Sequence, residues 1–188
     1  MATRRKSSGN GGRGSRSTRK RNDGSPGDAI ALLKADHRQV EGWFEQFKKS
    51  RVQSKKAELA DSICYALKTH TQIEEEIFYP AFLAATGNED IHHEAEVEHQ
   101  GAKNLIAEIE QTGPDDEYFE ARVKVLAEMI RHHVKEEEKR DGMFAKARQS
   151  DMALDELGER LRERKAELQG TMRGSLFEQA AARQAGLR

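Results

Sequence analysis

Four stretches of this chain set apolar residues at steps of three and four, and in each stretch a histidine takes one of the apolar slots. That spacing keeps side chains on one face of an α-helix, so each stretch predicts an amphipathic helix with an imidazole on its inner face. In the first, Ile30, Leu33, His37, Val40, Phe44 and Phe47 follow the SPGD segment, which supplies a proline and a cap. A second helix is expected from about Lys55 to Phe82, with Leu59, Ile63, Leu67, His70, then Ile73 or Glu74, and Ile77 facing inward. After TGNED, a third from about Ile91 to Gln111 presents Ala95, His99, Ala102, Ile106 and Ile109. After TGPDD, a fourth presents Phe119, Val123, Leu126, Ile130, His133 and Glu137. Leu154, Leu157, Leu161 and Leu168 stay in phase as a fifth.

Helices joined by short polar loops predict an all-α fold, an antiparallel up-down-up-down four-helix bundle with an additional C-terminal helix. Composition agrees, with charged residues at 35%, aromatics at 6% and only three prolines. One helical domain is expected over residues 26–170, flanked by tails at 1–25 and 171–188. The first tail is basic. Arg4, Arg5, Lys6, Arg13, Arg16, Arg19, Lys20 and Arg21 stand against Asp23 alone, giving +7, so the rest of a chain of net charge −1 carries −8. Without large apolar residues beyond Met1 this segment is expected to be disordered, serving as a solubilising extension or as a tether to nucleic acid or another polyanion. No secretory signal or membrane-length apolar run is visible, so a cytoplasmic protein with no membrane partner is expected.

The single cysteine, Cys64, excludes an intrachain disulfide and a cysteine-based metal site. Any metal ligands must therefore be histidine and carboxylate. His37 and His70 are 33 positions apart and His99 and His133 are 34 apart, and the second histidine of each pair is followed four residues later by Glu74 or Glu137. A lone histidine on an apolar face is commonly a hydrogen-bonded core residue. A buried layer of four imidazoles and two carboxylates is another matter, because an unpaired buried carboxylate costs several kcal/mol or takes up a proton. The set divides naturally between two metals, with two imidazoles each and both carboxylates bridging. Mixed nitrogen and oxygen ligands suit iron, with manganese or zinc as substitutes in vitro. Ferritin-like bundles instead carry ExxH pairs.

The pattern H…HxxxE…H…HxxxE is carried by His37 in ADHRQVEGWF, by His70 and Glu74 in HTQIEEEIFYP, by His99 in VEHQGAKNLI and by His133 and Glu137 in HHVKEEEKRDGMF. Over residues 28 to 168 it resembles the hemerythrin-like family, also called HHE cation-binding domains. The resemblance implies two iron ions with an oxo or hydroxo bridge. By that similarity Glu74 and Glu137 bridge, His37 and His70 serve one iron, and His99 and His133 serve the other. Oxygen-carrying hemerythrins have HxxxH on the third helix, whereas here Ala95 and Lys103 stand four residues either side of His99. The chain is therefore similar to the symmetric four-histidine members, linked to peroxide or nitric oxide chemistry, iron-cluster repair or sensing.

The expected function is binding or reacting with dioxygen, nitric oxide or hydrogen peroxide as a sensor, scavenger or low-turnover oxidoreductase. Iron storage or handling is the alternative, and a metal-free interaction module a third reading. Turnover is left open, and no general acid or base beyond the ligands is visible. Glu75, Glu76, Glu136 and Glu138 are expected to be solvated or paired with lysines, His92 and His93 to be exposed, with an approach of His92 to the site mouth, seven residues before His99, as the alternative, and Cys64 and Tyr65 to play no part. Met143 and Phe144 are expected to close the bundle end. His132 also has a glutamate at i+4, and the apolar register selects His133 instead.

Overall fold

A computed structural model of the chain describes residues 27–185, with side-chain surroundings up to Thr171. The basic segment 1–25 lies outside the described residues. Helix α1 (Ala29–Lys49) begins at Asp28, whose carboxylate accepts the amide of Ala31 at 2.7 Å, the cap that SPGD implies. Helices α2 (Gln53–Ile73), α4 (Glu89–Thr112) and α5 (Phe119–Glu138) complete an antiparallel four-helix bundle. The short α6 (Met143–Gln149) closes one end. Helix α7 (Leu154–Ala185) packs along α1 and α2. It continues as helix beyond residue 170, where a tail was expected; Glu, Gln, Arg, Met and Ala are strong helix formers and extend it without an apolar stripe.

The second bundle helix is not one uniform α-helix. After α2 the backbone opens into a π turn over Glu74–Phe78 and tightens again as α3 (Tyr79–Thr86), which Gly87 ends in the left-handed region at φ 63°. Pro80 supplies the physical reason. It has no amide hydrogen, and its ring would strike the carbonyl four residues back, that of Glu76, in a regular α-helix. Within the widened turn the amide of Tyr79 bonds the carbonyl of Glu74 instead, an i to i+5 bond.

Two apolar clusters form the core. One, with Val40, Phe44, Leu67, Ile106, Leu126 and Val134, fills the end of the bundle near the α1–α2 loop. The other, with Ile30, Leu33, Ile73, Phe78, Phe82, Met143, Phe144 and Leu161, joins the opposite end to α3, α6 and α7. His37, His70, Glu74, His99, His133 and Glu137 are buried between them. Among the described residues no helix is long and apolar enough to cross a membrane.

Leu126 is wholly buried in the first cluster. Replacing it with alanine removes its apolar contacts and leaves a cavity, so Leu126→Ala is expected to lower the unfolding free energy by about 2–5 kcal/mol in urea titration.

Candidate metal centre

Each inward face delivers its histidine to the same layer because the two hairpins, α1–α2 and α4–α5, have matched spacing. His37 Nε2 lies 3.1 Å from His70 Nε2, and His99 Nε2 lies 3.2 Å from His133 Nε2. Glu74 spans the two pairs, with Oε2 at 3.1 Å from His70 Nε2 and 3.4 Å from His99 Nε2. Glu137 spans them in the other sense, with Oε2 at 3.4 Å from His37 Nε2 and 3.6 Å from His133 Nε2. The structure thus brings all six candidate ligands together and pairs the histidines within hairpins. His132, by contrast, is 61% exposed, as the apolar register requires.

The outward nitrogens explain how the rings are held. His37 Nδ1 meets Glu138 at 2.9 Å, His99 Nδ1 meets Glu75 at 3.0 Å and His133 Nδ1 meets Glu98 at 2.8 Å. His70 Nδ1 lies 3.5 Å from Asp36 Oδ2, at the limit of a hydrogen bond. A carboxylate behind an imidazole fixes its tautomer and aims the other nitrogen inward. Glu75 and Glu138, expected only to be solvated or paired with lysine, do pair with Lys103 and with Lys34 and Arg38, yet each also braces a histidine. Glu76 and Glu136 lie outside the layer, on Arg164 and Lys139. The braces leave a signal in the sequence: an acid precedes His37 and His99, and a second glutamate follows Glu74 and Glu137.

The donor set fits a pair of metal ions. When Nδ1 of His37, His99 or His133 gives its proton to its carboxylate, Nε2 is left with a lone pair that a metal can take, and in each pair the two Nε2 atoms face one another. Nitrogens bound at about 2.1 Å to one ion sit about 3.0 Å apart at adjacent octahedral positions, close to the spacing observed. Glu74 Oε1 and Oε2 and Glu137 Oε2 are buried without a well-formed hydrogen bond. Such oxygens call for a cation. Two triads, His37–His70–Glu74 and Glu74–His99–His133, have their ligand atoms within 4.8 Å of one another.

Tyr79 also reaches the layer. Its hydroxyl lies 3.1 Å from His99 Nε2 and donates to Glu137 Oε1 at 3.2 Å. Five residues after Glu74, it would face away from the site on a regular α-helix; the π turn restores its direction. The sequence reading, in which no general acid or base beyond the ligands is visible, does not single out this phenol. Burial, then the charge of Glu137, holds the phenol well above its ordinary range, so it keeps its proton. His92 is only 13% exposed and packs edge-on against Tyr79, the approach to the site that stands as the alternative to exposure. Phe144 closes the bundle as expected and also stacks on His37 at 5.8 Å.

Two small spaces flank the layer. One of about 10 Å³ touches all four histidines on the side of Val40, Leu67, Ile130 and Val134. The other, about 30 Å³, opens between α4 and α5 over His133 and Glu137, beside Ala95 and Met143. Gly142 borders it and must be glycine, since a Cβ there would lie 2.2 Å from the Glu136 carbonyl.

Residues 28–147 match the model of the hemerythrin HHE cation-binding domain. A solved hemerythrin HHE cation-binding domain-containing protein from Mycobacterium kansasii superposes with a TM-score of 0.63 at 26% identity, covering 77% of this chain and 88% of that one. Over 107 residues the chain is 30% identical to a Nostoc sp. protein named DNA nickase, covering 57% of this chain. It spans only 30% of that relative's length.

Protons compete with metal here. Burial alone would lower His70, but the charge of Glu74 and the contacts of Asp36 outweigh it and raise the imidazole to about 10. His99 is raised to about 9, where burial is outweighed by Glu74 and Glu75. Burial, then the charge of Glu74, raises Glu137 to about 7. An imidazole ordinarily near ~6.5 that holds its proton to 9 or 10 stabilises the metal-free fold fully below ~6.5, and loses that contribution as pH rises through the folded value. The melting temperature of metal-free protein is expected to fall between pH 7 and 10. Added metal needs those imidazoles deprotonated, so the rise it causes should be larger at pH 9 than at pH 6, a comparison made by calorimetry.

Proposed function

We propose that this chain, which belongs to the hemerythrin HHE cation-binding family, holds two iron ions between its hairpins and binds or reacts with dioxygen, nitric oxide or hydrogen peroxide as a sensor, scavenger or low-turnover oxidoreductase. The observation that carries this reading is the shared carboxylate: Glu74 belongs to both histidine triads, which supports two cations side by side. In this reading His37 and His70 hold one ion, His99 and His133 the other, and Glu74 and Glu137 bridge. Bound iron would supply redox equivalents and vacant positions for a small ligand.

The remaining work falls to the chain. The four outer carboxylates keep the imidazoles aimed, and the two apolar clusters keep water from the layer. A space of about 10 Å³ beside the histidines is comparable to one water, which supports a ligand of two or a few atoms and no organic substrate. Tyr79 can hold or deliver a proton at Glu137 Oε1. Among the described residues the clustered ligands form two buried triads that share Glu74, which favours ligand chemistry at a small centre over bulk storage.

Metal analysis of protein made in iron-rich medium tests the reading. About two irons per chain are expected, with Glu74→Ala losing both; less than about one iron in the unmodified protein would sink it. Adding oxygen, nitric oxide or peroxide to the reduced protein, with absorption spectra as readout, then separates the ligands. A second reading, delivery to nucleic acid, is favoured by the eight basic residues among 1–25 and by the similarity to the nickase. Removing residues 1–25 should then weaken DNA binding and flatten its dependence on salt.

A further inference from the structure

The four outer carboxylates are not braced alike. Glu138 is held by Lys34 at 3.4 Å and Arg38 at 2.5 Å, Glu75 by Lys103 at 2.6 Å, and Glu98 by His132 at 3.2 Å, all from within the four-helix bundle. Asp36 is different. Its cation is Lys165, from α7, which bonds Oδ1 while Oδ2 faces His70. The His70 contact is also the longest of the four and falls short of a hydrogen bond, so the only outer support of this ring among the described residues is the charge of Asp36, held in place by Lys165.

The residue before Lys165 makes a second contact with the same region. Arg164 grips Glu76 with two bonds, 2.6 and 3.1 Å, inside the π turn that carries Glu74 and Glu75. These contacts are anchored upstream, where Leu154, Leu157 and Leu161 are buried. Gly158 lets α7 press against the backbone at the start of α1: a Cβ there would lie 2.5 Å from the Gly27 carbonyl. Helix α7 begins after residue 147, where the match to the family model ends.

We infer that α7 is a latch on one of the two metal positions: Lys165, through Asp36, orients His70, and Arg164, through Glu76, steadies the π turn. The inference rests on the reading that the layer holds a metal pair. It makes the two positions unequal. The His37–His70 position has a histidine brace held from outside the bundle, whereas the braces of His99 and His133 are held from within it; the Arg164 contact bears on the turn that carries Glu74, which both positions share. Lys165 is a positioning residue, since it touches Asp36 and no ligand.

Full-length protein loaded with two Co(II) ions, followed by absorption while a chelator competes, reads the two positions separately. Removing an outer partner of a metal-bound histidine costs about 10–100-fold in affinity, so Asp36→Asn should release one ion that much more readily and leave the other unchanged. Lys165→Met should shift the same ion in the same direction, with Lys165→Arg restoring it, and Lys103→Met should shift the other ion instead. Equal weakening of both ions by Lys165→Met, or no change in either, overturns the latch. Nitrogen NMR of the histidine rings in metal-free protein gives an independent reading: Lys165→Met should move the His70 resonances and leave those of His99 in place. Wild-type protein that takes up no metal would refute the proposed function, while the His70 resonances would still decide the latch.

Discussion

Two imidazole nitrogens facing each other at about 3 Å must share something positive, and that requirement organises the rest of the structure. A proton can meet it within one pair, a metal ion can meet it while also satisfying a carboxylate, and bare lone pairs cannot. The layer sits between two apolar clusters, where water cannot screen the mismatch. Such a bundle is therefore unlike one whose core is apolar throughout: its stability is tied to whatever cation occupies the middle.

The layer has an approximate two-fold logic. In each hairpin the residue before the first histidine, Asp36 or Glu98, braces the second histidine of the same hairpin. The residue after Glu74 or Glu137, Glu75 or Glu138, braces the first histidine of the other hairpin. Half of the orienting bonds thus stay within a hairpin and half cross between hairpins. Closing the layer and docking the hairpins are therefore one event, and a ligand ring cannot be aimed until both hairpins are in place. Helix α7 departs from this symmetry, and its departure falls on Asp36.

How much of this was legible in the sequence follows from what periodicity can carry. The steps of three and four placed His37, His70, His99 and His133 on inner faces and separated His133 from the exposed His132, because burial of a helix face is a local property. The buried face of α4, Ala95, His99, Ala102, Ile106 and Ile109, agrees residue for residue with its apolar phase. Periodicity could not show what lies behind a ring. Glu75 and Glu138 fall off the apolar face and read as solvent residues, yet each crosses to a histidine on the other hairpin, which only the tertiary arrangement reveals. Tyr79 was missed for another reason: counting by α-helical turns assumes a constant winding, and Pro80 changes it.

That change of winding separates two alignments along one rod. Up to Glu74 the helix is in step with the histidine layer; after the turn Tyr79 still reaches that layer through its hydroxyl, while Phe78 and Phe82 are in step with the cap formed with α6 and α7. The widened turn works as a spacer between two gear settings, taking up an extra residue so that both can mesh. Removing one residue between Glu74 and Tyr79 would leave a helix able to serve the ligand layer or the cap, but not the two together. In HTQIEEEIFYP the proline thus belongs to the site as much as the histidine does, although it carries no ligand atom.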